Sequence, residues 1–163
     1  MGNIEDYLRA IYQGCGKFLN SNKINLILEP GRYLVDESLI AVTEVHSIKK
    51  FGKRTKAFVD LGSNALPSIK YKEHAIEKLN NIRTAQKIFE LEGPLCMGSD
   101  SYISKFKTNS LDIGDKLIVF GCGAYSISQA MNFIKKQPKV YLLKNKKIKL
   151  IRKQASINHI AGI

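Results

Sequence analysis

The sequence predicts a mainly β fold with some α, in which one helix and one strand precede a run of short strands. Three observations carry this. Apolar residues recur at close to helical spacing from Ile4 to Leu19. From Ala41 onward, β-branched and aromatic residues collect in short runs, punctuated by Gly52-Lys53 and Gly114-Asp115. Between these regions an apolar run, Leu26-Ile27-Leu28, stops at Glu29-Pro30-Gly31-Arg32. Proline fixes φ and cannot donate to a ladder, and glycine permits a tight turn with close backbone approach, so the run reads as a strand that ends there.

Taken in order, Ile4, Leu8, Ile11, Tyr12, Cys15 and Phe18 or Leu19 share a helical face. Asn3 is the expected N-cap, and Glu5 and Asp6 favour the positive end of the helix dipole. Asn20-Ser21-Asn22 is a loop and Ile24–Leu28 a short buried strand. Helix, short loop and strand make the α-to-β step of an α/β barrel. A short helix is expected around Leu34–Ile40. Strands follow over Ala41–Ile48 and Thr55–Asp60, with a hairpin turn at Gly52-Lys53. Further strands are expected at Ile69–Tyr71, Thr84–Glu90, Lys116–Phe120 and Val140–Leu143. Tyr125–Phe133 reads as a helix, since Tyr125, Ser128, Met131 and Asn132 would share a face.

The composition is that of a globular chain, 163 residues with 44% hydrophobic and 25% charged residues, enough to bury a sizeable core. No apolar run approaches the ~20 residues that span a bilayer. The first residues are acidic where a signal peptide would be basic, and Met1-Gly2-Asn3 with Asp6 is not a myristoylation motif. Cys15, Cys96 and Cys122 form no CxxC pair. Free thiols in a reducing, cytoplasmic compartment are expected, with no metal site.

The charge is uneven. Past Asp115 there is no acidic residue, yet Lys116–Ile163 hold ten of the 26 Lys and Arg, and so supply ten of the net +12. Around Asn145, Val140, Leu142, Leu143, Ile148, Leu150 and Ile151 are interspersed with lysines. This reads as a terminal hairpin with apolar residues inward and lysines outward. A solvated basic face or an acidic protein partner accounts for the charge. Specific nucleic-acid binding is not expected, because no zinc spacing, aromatic RNA-binding motif or basic helix accompanies it.

Glu29 and Arg32 can be read as an acid and a base at the C-terminal tip of a barrel strand, where such folds build active sites, or as a surface ion pair at a strand end. The decision comes from two further segments, Gly93-Pro94-Leu95-Cys96-Met97-Gly98-Ser99-Asp100 and Gly121-Cys122-Gly123-Ala124-Tyr125-Ser126, the latter preceded by Gly114-Asp115. With Glu29-Pro30-Gly31-Arg32 ahead of them, and weaker matches at Val59-Asp60-Leu61-Gly62, Tyr71 and His74, they occur in an order that resembles the second half of the fold-type III pyridoxal-phosphate decarboxylases. That family includes the ornithine, diaminopimelate and biosynthetic arginine decarboxylases. The resemblance runs from about Ile24 to about Leu143. It implies that residues 1–40 correspond to the last helix and strand of a (β/α)8 barrel, and residues 41–163 to the C-terminal β-domain.

The resemblance also implies a chemistry. Decarboxylation leaves a carbanion, and pyridoxal 5'-phosphate is the electron sink. By resemblance, Glu29 faces the cofactor's ring nitrogen, while Gly31, Arg32 and Tyr125 hold its phosphate. A core aromatic is the other reading of Tyr125. Cys96, on a loop that the family donates across a homodimer interface, would protonate the intermediate, with Asp100 beside it. A lone cysteine is otherwise a small buried hydrophobe, which is the expectation for Cys15 and Cys122.

Two features depart from the family pattern. The Schiff-base lysine, the glycine-rich phosphate loop and the barrel histidine have no counterpart, so the chain alone is expected to be inactive and to need a barrel half. A non-catalytic dimerisation or regulatory β-domain is the alternative. Met97 stands where the ornithine and diaminopimelate enzymes have an acid that reads a distal ammonium. This argues against those simple substrates and for a modified or carrier-linked amino acid, whose acidic carrier protein the basic C-terminal segment would suit.

Overall fold

The computed structural model describes residues 3–79 and 86–158. The chain divides into two compact units, one up to Leu34 and one from Val35 onward.

In the first unit, helix α1 spans Ile4–Ser21. The Asn3 side chain accepts from the Glu5 amide at 3.2 Å, the cap that the sequence predicts. At the other end the Asn22 amide and side chain both donate to the Phe18 carbonyl. Gly16 is the buried position, because the Tyr12 ring lies over it. Tyr7, Leu8, Tyr12 and Phe18 are exposed. The expected strand at Ile24–Leu28 does not form. A strand exists through its ladder, and the described residues of this unit offer no neighbouring strand. These residues are exposed rather than buried, Ile27 most of all at 82%. The helix expected at Leu34–Ile40 starts earlier, as α2 over Gly31–Val35, and passes into a 3-10 turn at Asp36–Ser38.

The second unit is built on a six-stranded sheet. Strand β1, Ala41–Phe51, turns at Gly52-Lys53 into β2, Arg54–Val59. Short β3 is Ile76–Lys78, β4 is Lys87–Glu92, β5 is Ser101–Thr108 and β6 is Lys116–Val119. The order is β3-β6-β1-β2-β4-β5. All pairs are antiparallel except β2 with β4, which are parallel in the register Lys56↔Glu90. Val45, Ala57, Val59, Phe89, Leu91, Leu117 and Val119 point to one side and form the core, alternating with outward residues at the strand period of two. Each large apolar side chain buried this way contributes about 1.5–3 kcal/mol. A bulge between Val45 and Ser47 bends β1. Asp60 secures the backbone beside it, accepting from the Thr43 hydroxyl at 2.6 Å and the Glu44 amide at 2.9 Å.

Two expected elements take other forms here. Ile69–Tyr71 is not a strand; Pro67–Lys70 make a 3-10 turn, with Pro67 pre-set for its first position. It is held down by His74, whose Nδ1 donates to the Phe120 carbonyl at 2.8 Å while Nε2 accepts from Ser68 Oγ at 2.9 Å. Tyr125–Phe133 is not a helix but a chain of turns. Tyr125 and Ile134 have φ of 64° and 61°, outside the right-handed helical region. The Met131 amide bonds to the distant Asn64 carbonyl instead of one four residues back. Of the strand expected at Thr84–Glu90, Lys87–Glu90 lie in β4, and Thr84 and Ala85 fall outside the described residues.

The terminal hairpin is present as β7, Val140–Lys144, and β8, Lys147–Arg152. Asn145 and Lys146 both have positive φ, the turn that matches strand twist. The expected inward packing of its apolar residues is absent. Tyr141 pairs with Leu150 and Leu143 with Ile148, which puts the four on one face, yet Leu143 and Ile148 are 70% and 72% exposed. Nothing in this chain covers that face among the described residues. No described helix is long and apolar enough to cross a membrane.

Residues 121–123 lie against 36–39. The Cys122 amide donates to the Leu39 carbonyl and the Gly123 amide to the Asp36 carbonyl, both at 2.8 Å. Lys72 pairs with buried Asp36 and donates to the Gly121 carbonyl at 2.9 Å. A Cβ on Gly123 would overlap the Val35 carbonyl oxygen and crowd Ser38 Oγ. Gly123→Ala is therefore expected to cost about 1–3 kcal/mol or more, read as a lower urea midpoint with an unchanged m-value.

Candidate functional site

In the first unit the Glu29–Arg32 segment is a tight turn. The Gly31 amide donates to the Glu29 carbonyl and the Tyr33 amide to the Pro30 carbonyl, both at 2.9 Å. Glu29 is exposed and Arg32 half-buried. Both line a cavity of about 580 Å³ whose walls are otherwise mostly apolar, including Tyr7, Leu8, Leu28, Pro30 and Tyr33. Here an acid and a planar cation border hydrocarbon, an arrangement suited to an apolar ring that carries an anionic group.

In the second unit the loop Gly93–Asp100 connects β4 to β5. Asp100 is 2% exposed and organises it. One carboxylate oxygen accepts from the Leu95 amide at 2.8 Å, and the other from the Ser63 amide at 2.5 Å. The Asp100 amide donates to Met97, and the Gly93 amide to Asp100, closing the loop on itself. A Cβ on Gly93 would collide with the Asp100 carboxylate, so this position admits only glycine. Leu95 turns inward while Cys96 is exposed. The loop thus presents the thiol at its outer surface, with half-buried Met97 next to it. Cys96 and Asp100 share one loop, but Asp100 is directed into the loop rather than out of it.

Tyr125, also in the second unit, is 46% exposed, so the core-aromatic reading does not hold. Its carbonyl accepts from the Gln129 amide at 3.0 Å, and Gln129 Oε1 accepts from the Tyr71 hydroxyl at 3.1 Å. Cys122 is fully buried, and burial pushes its thiol up to about 11. Tyr102 is likewise buried, its hydroxyl donating to the Leu61 carbonyl at 2.6 Å; burial, with Asp100 nearby, raises it well above the usual phenol range.

Sequence reasoning did not single out Ser63 and Asn64, which follow the Asp60-Leu61-Gly62 match. Ser63 supplies an amide to Asp100, and Asn64 meets the segment after Tyr125. The only signal was Gly62 just before them. It packs so closely on Pro94 and Leu95 that a Cβ would come within 3.0 Å of each. Among the described residues no cluster of His, Cys, Asp and Glu could hold a metal ion.

This arrangement predicts a graded thiol chemistry. Ellman's reagent at pH 8 should modify Cys96 fastest, Cys15 more slowly and Cys122 only on unfolding. In Asp100→Asn the side-chain amide can accept only one of the two backbone N–H groups and opposes the other. Loss of about 1–3 kcal/mol is expected in denaturant titrations, with altered Cys96 modification. Unchanged stability would show that the two N–H contacts do not hold the loop.

Comparison with known proteins agrees with this architecture. The family described as "Pyridoxal-dependent decarboxylase, C-terminal sheet domain" matches residues 32–123. A diaminopimelate decarboxylase of Buchnera aphidicola is 33% identical over 90% of this chain and 39% of its own length. One of Methanocaldococcus jannaschii is 32% identical over 80% of this chain and 30% of its own. The solved structure of diaminopimelate decarboxylase from Methanocaldococcus jannaschii covers 85% of this chain and 32% of its own, with a TM-score of 0.77 at 30% identity. A structure from Aquifex aeolicus covers 94% and 39%, with a TM-score of 0.81 at 25% identity. This chain therefore spans about two fifths or less of these relatives' lengths. With the sheet, its loops and most of its length accounted for, the chain belongs to the pyridoxal-dependent decarboxylase family and carries that family's C-terminal sheet domain.

Proposed function

We propose that this chain forms the C-terminal portion of a pyridoxal-phosphate-dependent amino-acid decarboxylase and works with a barrel half that supplies the cofactor-bearing lysine. The observation that carries the reading is the Gly93–Asp100 loop, in which the Leu95 amide and the Ser63 amide from outside the loop satisfy Asp100 and Cys96 is left exposed at the surface. The residues present suit the cofactor. Glu29 offers a carboxylate for a protonated ring nitrogen, beside an apolar cavity wall that suits the ring. Arg32 offers a forked donor for phosphate, Gly31 close backbone approach, and Tyr125, in the second unit, a phenol on a partly exposed side chain. Bound pyridoxal phosphate supplies the electron sink that loss of CO2 requires. Cys96 delivers a proton to the substrate carbon, and Asp100 fixes the loop from which it does so.

The names of the relatives make diaminopimelate the first substrate to test. Met97 beside Cys96 favours a modified or carrier-linked amino acid instead, because a thioether cannot pair with a distal ammonium. The lysines of β7–β8 would then meet an acidic carrier protein. A homodimer, with Cys96 serving the partner's site, fits a thiol that faces away from its own loop. Three free thiols suit a reducing, cytoplasmic setting. The second reading is a dimerisation or regulatory β-domain derived from the same family.

The test is to mix the purified chain with a barrel half from the same family, add pyridoxal phosphate, and follow CO2 release. Borohydride reduction and peptide mapping of each component run alongside. No unique labelled lysine on this chain, and CO2 release only on mixing, are expected. In the mixture Cys96→Ala should lower kcat by about 10²–10⁴. One stoichiometric adduct on a lysine of this chain would overturn the division of labour. Failure to release CO2 from diaminopimelate, ornithine or a carrier-linked amino acid would favour the non-catalytic reading.

A further inference from the structure

The turn Gly62–Leu66 touches two segments of the second unit that matter for the proposed chemistry. It is a tight turn, with the Ala65 and Leu66 amides both donating to the Gly62 carbonyl at 3.0 Å. On one side Gly62 packs on Pro94 and Leu95, and the Ser63 amide reaches the Asp100 carboxylate. That side fixes the loop that carries Cys96. On the other side Asn64, 1% exposed, makes three bonds to the segment that follows Tyr125. Its side-chain amide donates to the Lys135 carbonyl at 2.9 Å. Its carbonyl accepts from the Met131 amide at 2.8 Å and from Gln137 Nε2 at 2.9 Å. Gln137 also donates to the Met131 carbonyl at 2.5 Å, which closes the segment on itself.

The two sides are adjacent residues of one turn. Ser63 and Asn64 are consecutive and both fully buried, so neither can shift alone. The chain of contacts runs from Gln137 and Met131 through Asn64 and Ser63 to Asp100, and from there to Leu95, the neighbour of Cys96. We propose that Asn64 is a positioning residue, which couples the placement of the 131–137 segment to the exposure and orientation of the Cys96 thiol. The inference rests on the reading of Cys96 as the proton donor for its functional meaning. The physical coupling does not depend on that reading. Asn64 itself touches no reacting atom in this scheme. It acts through Ser63 and Asp100.

The experiment uses the whole chain and reads the thiols, so it needs neither cofactor nor activity. Gln137→Ala removes the donor to the Asn64 carbonyl from a half-buried position, without touching the Cys96 loop. The rate of Cys96 modification by a small thiol reagent should change about two- to tenfold in Gln137→Ala, as for coupled neighbours, and by a similar factor in Asn64→Ala. Modification of Cys122, which reports opening of the whole sheet, should stay unchanged. Gln137→Lys keeps an N–H donor there and should restore the Cys96 rate. In the mixture with a barrel half, Gln137→Ala should lower kcat and leave KM unchanged.

A Cys96 rate in Gln137→Ala within experimental error of the parent chain would overturn the coupling. So would equal acceleration of Cys122, which would make the effect general loosening. Coupled thiol rates with no CO2 release from the parent mixture would preserve the positioning role and remove the decarboxylase reading. Asn64→Ser replaces Asn64→Ala, with the same criterion, if the alanine variant fails to fold.

Discussion

A buried carboxylate held by backbone amides is the constraint on which the rest of the second unit turns. Among the described residues Asp100 takes no basic side chain as partner in its hydrogen bonds. Two backbone amides from separate segments satisfy its oxygens, one each. Leaving either unmet would carry the full penalty of a desolvated charge. The loop after β4 and the turn after β2 must therefore reach the same point. The parallel pairing of β2 with β4 brings the ends of those strands to the same side of the sheet, where both connections begin. Sheet topology and the position of Cys96 are in this sense one fact.

Glycine completes the arrangement by absence of volume. Gly93 leaves room for the carboxylate, Gly62 lets the turn lie on Pro94 and Leu95, and Gly123 lets the segment after β6 touch the chain at Val35 and Ser38. Each of these three glycines marks a place where two backbones, or a backbone and a side chain, come closer than a Cβ allows. The motifs are thus packing instructions as well as chemical ones. Cys122, next to Gly123, shows the contrast. It has the same functional group as Cys96, yet burial turns its thiol into core packing.

The sheet was legible where alternation was clean. Thr43, Val45, Ala57, Val59, Leu117 and Val119 are spaced for strands and occur in strands. Strand β5 was missed because exposed Ser104 interrupts the shared phase of Tyr102, Phe106 and Thr108, and the partner register shifts there. Local pattern reads best where the register is regular. The strand expected at Ile24–Leu28 and the helix expected at Tyr125–Phe133 failed for a different reason. Both depend on partners distant in sequence, one through a ladder that is not present and the other through Asn64, 67 residues before Met131. The site residues were legible as types in an order. The role of Ser63 and Asn64 was not, because backbone amides and carbonyls leave no trace in residue identity.

The β7–β8 hairpin combines uncovered hydrocarbon with a dense set of like charges, including Lys144 directly opposite Lys147. In dilute buffer the charges hold two such surfaces apart. Screening shortens their reach to about 8 Å at physiological ionic strength and about 3 Å at 1 M, while hydrophobic attraction strengthens in salting-out salts. The free chain's colloidal behaviour is thus governed by ionic strength. The balance favours dispersal at low salt and self-association at high salt, which argues for low-salt cation exchange over salt precipitation in purification.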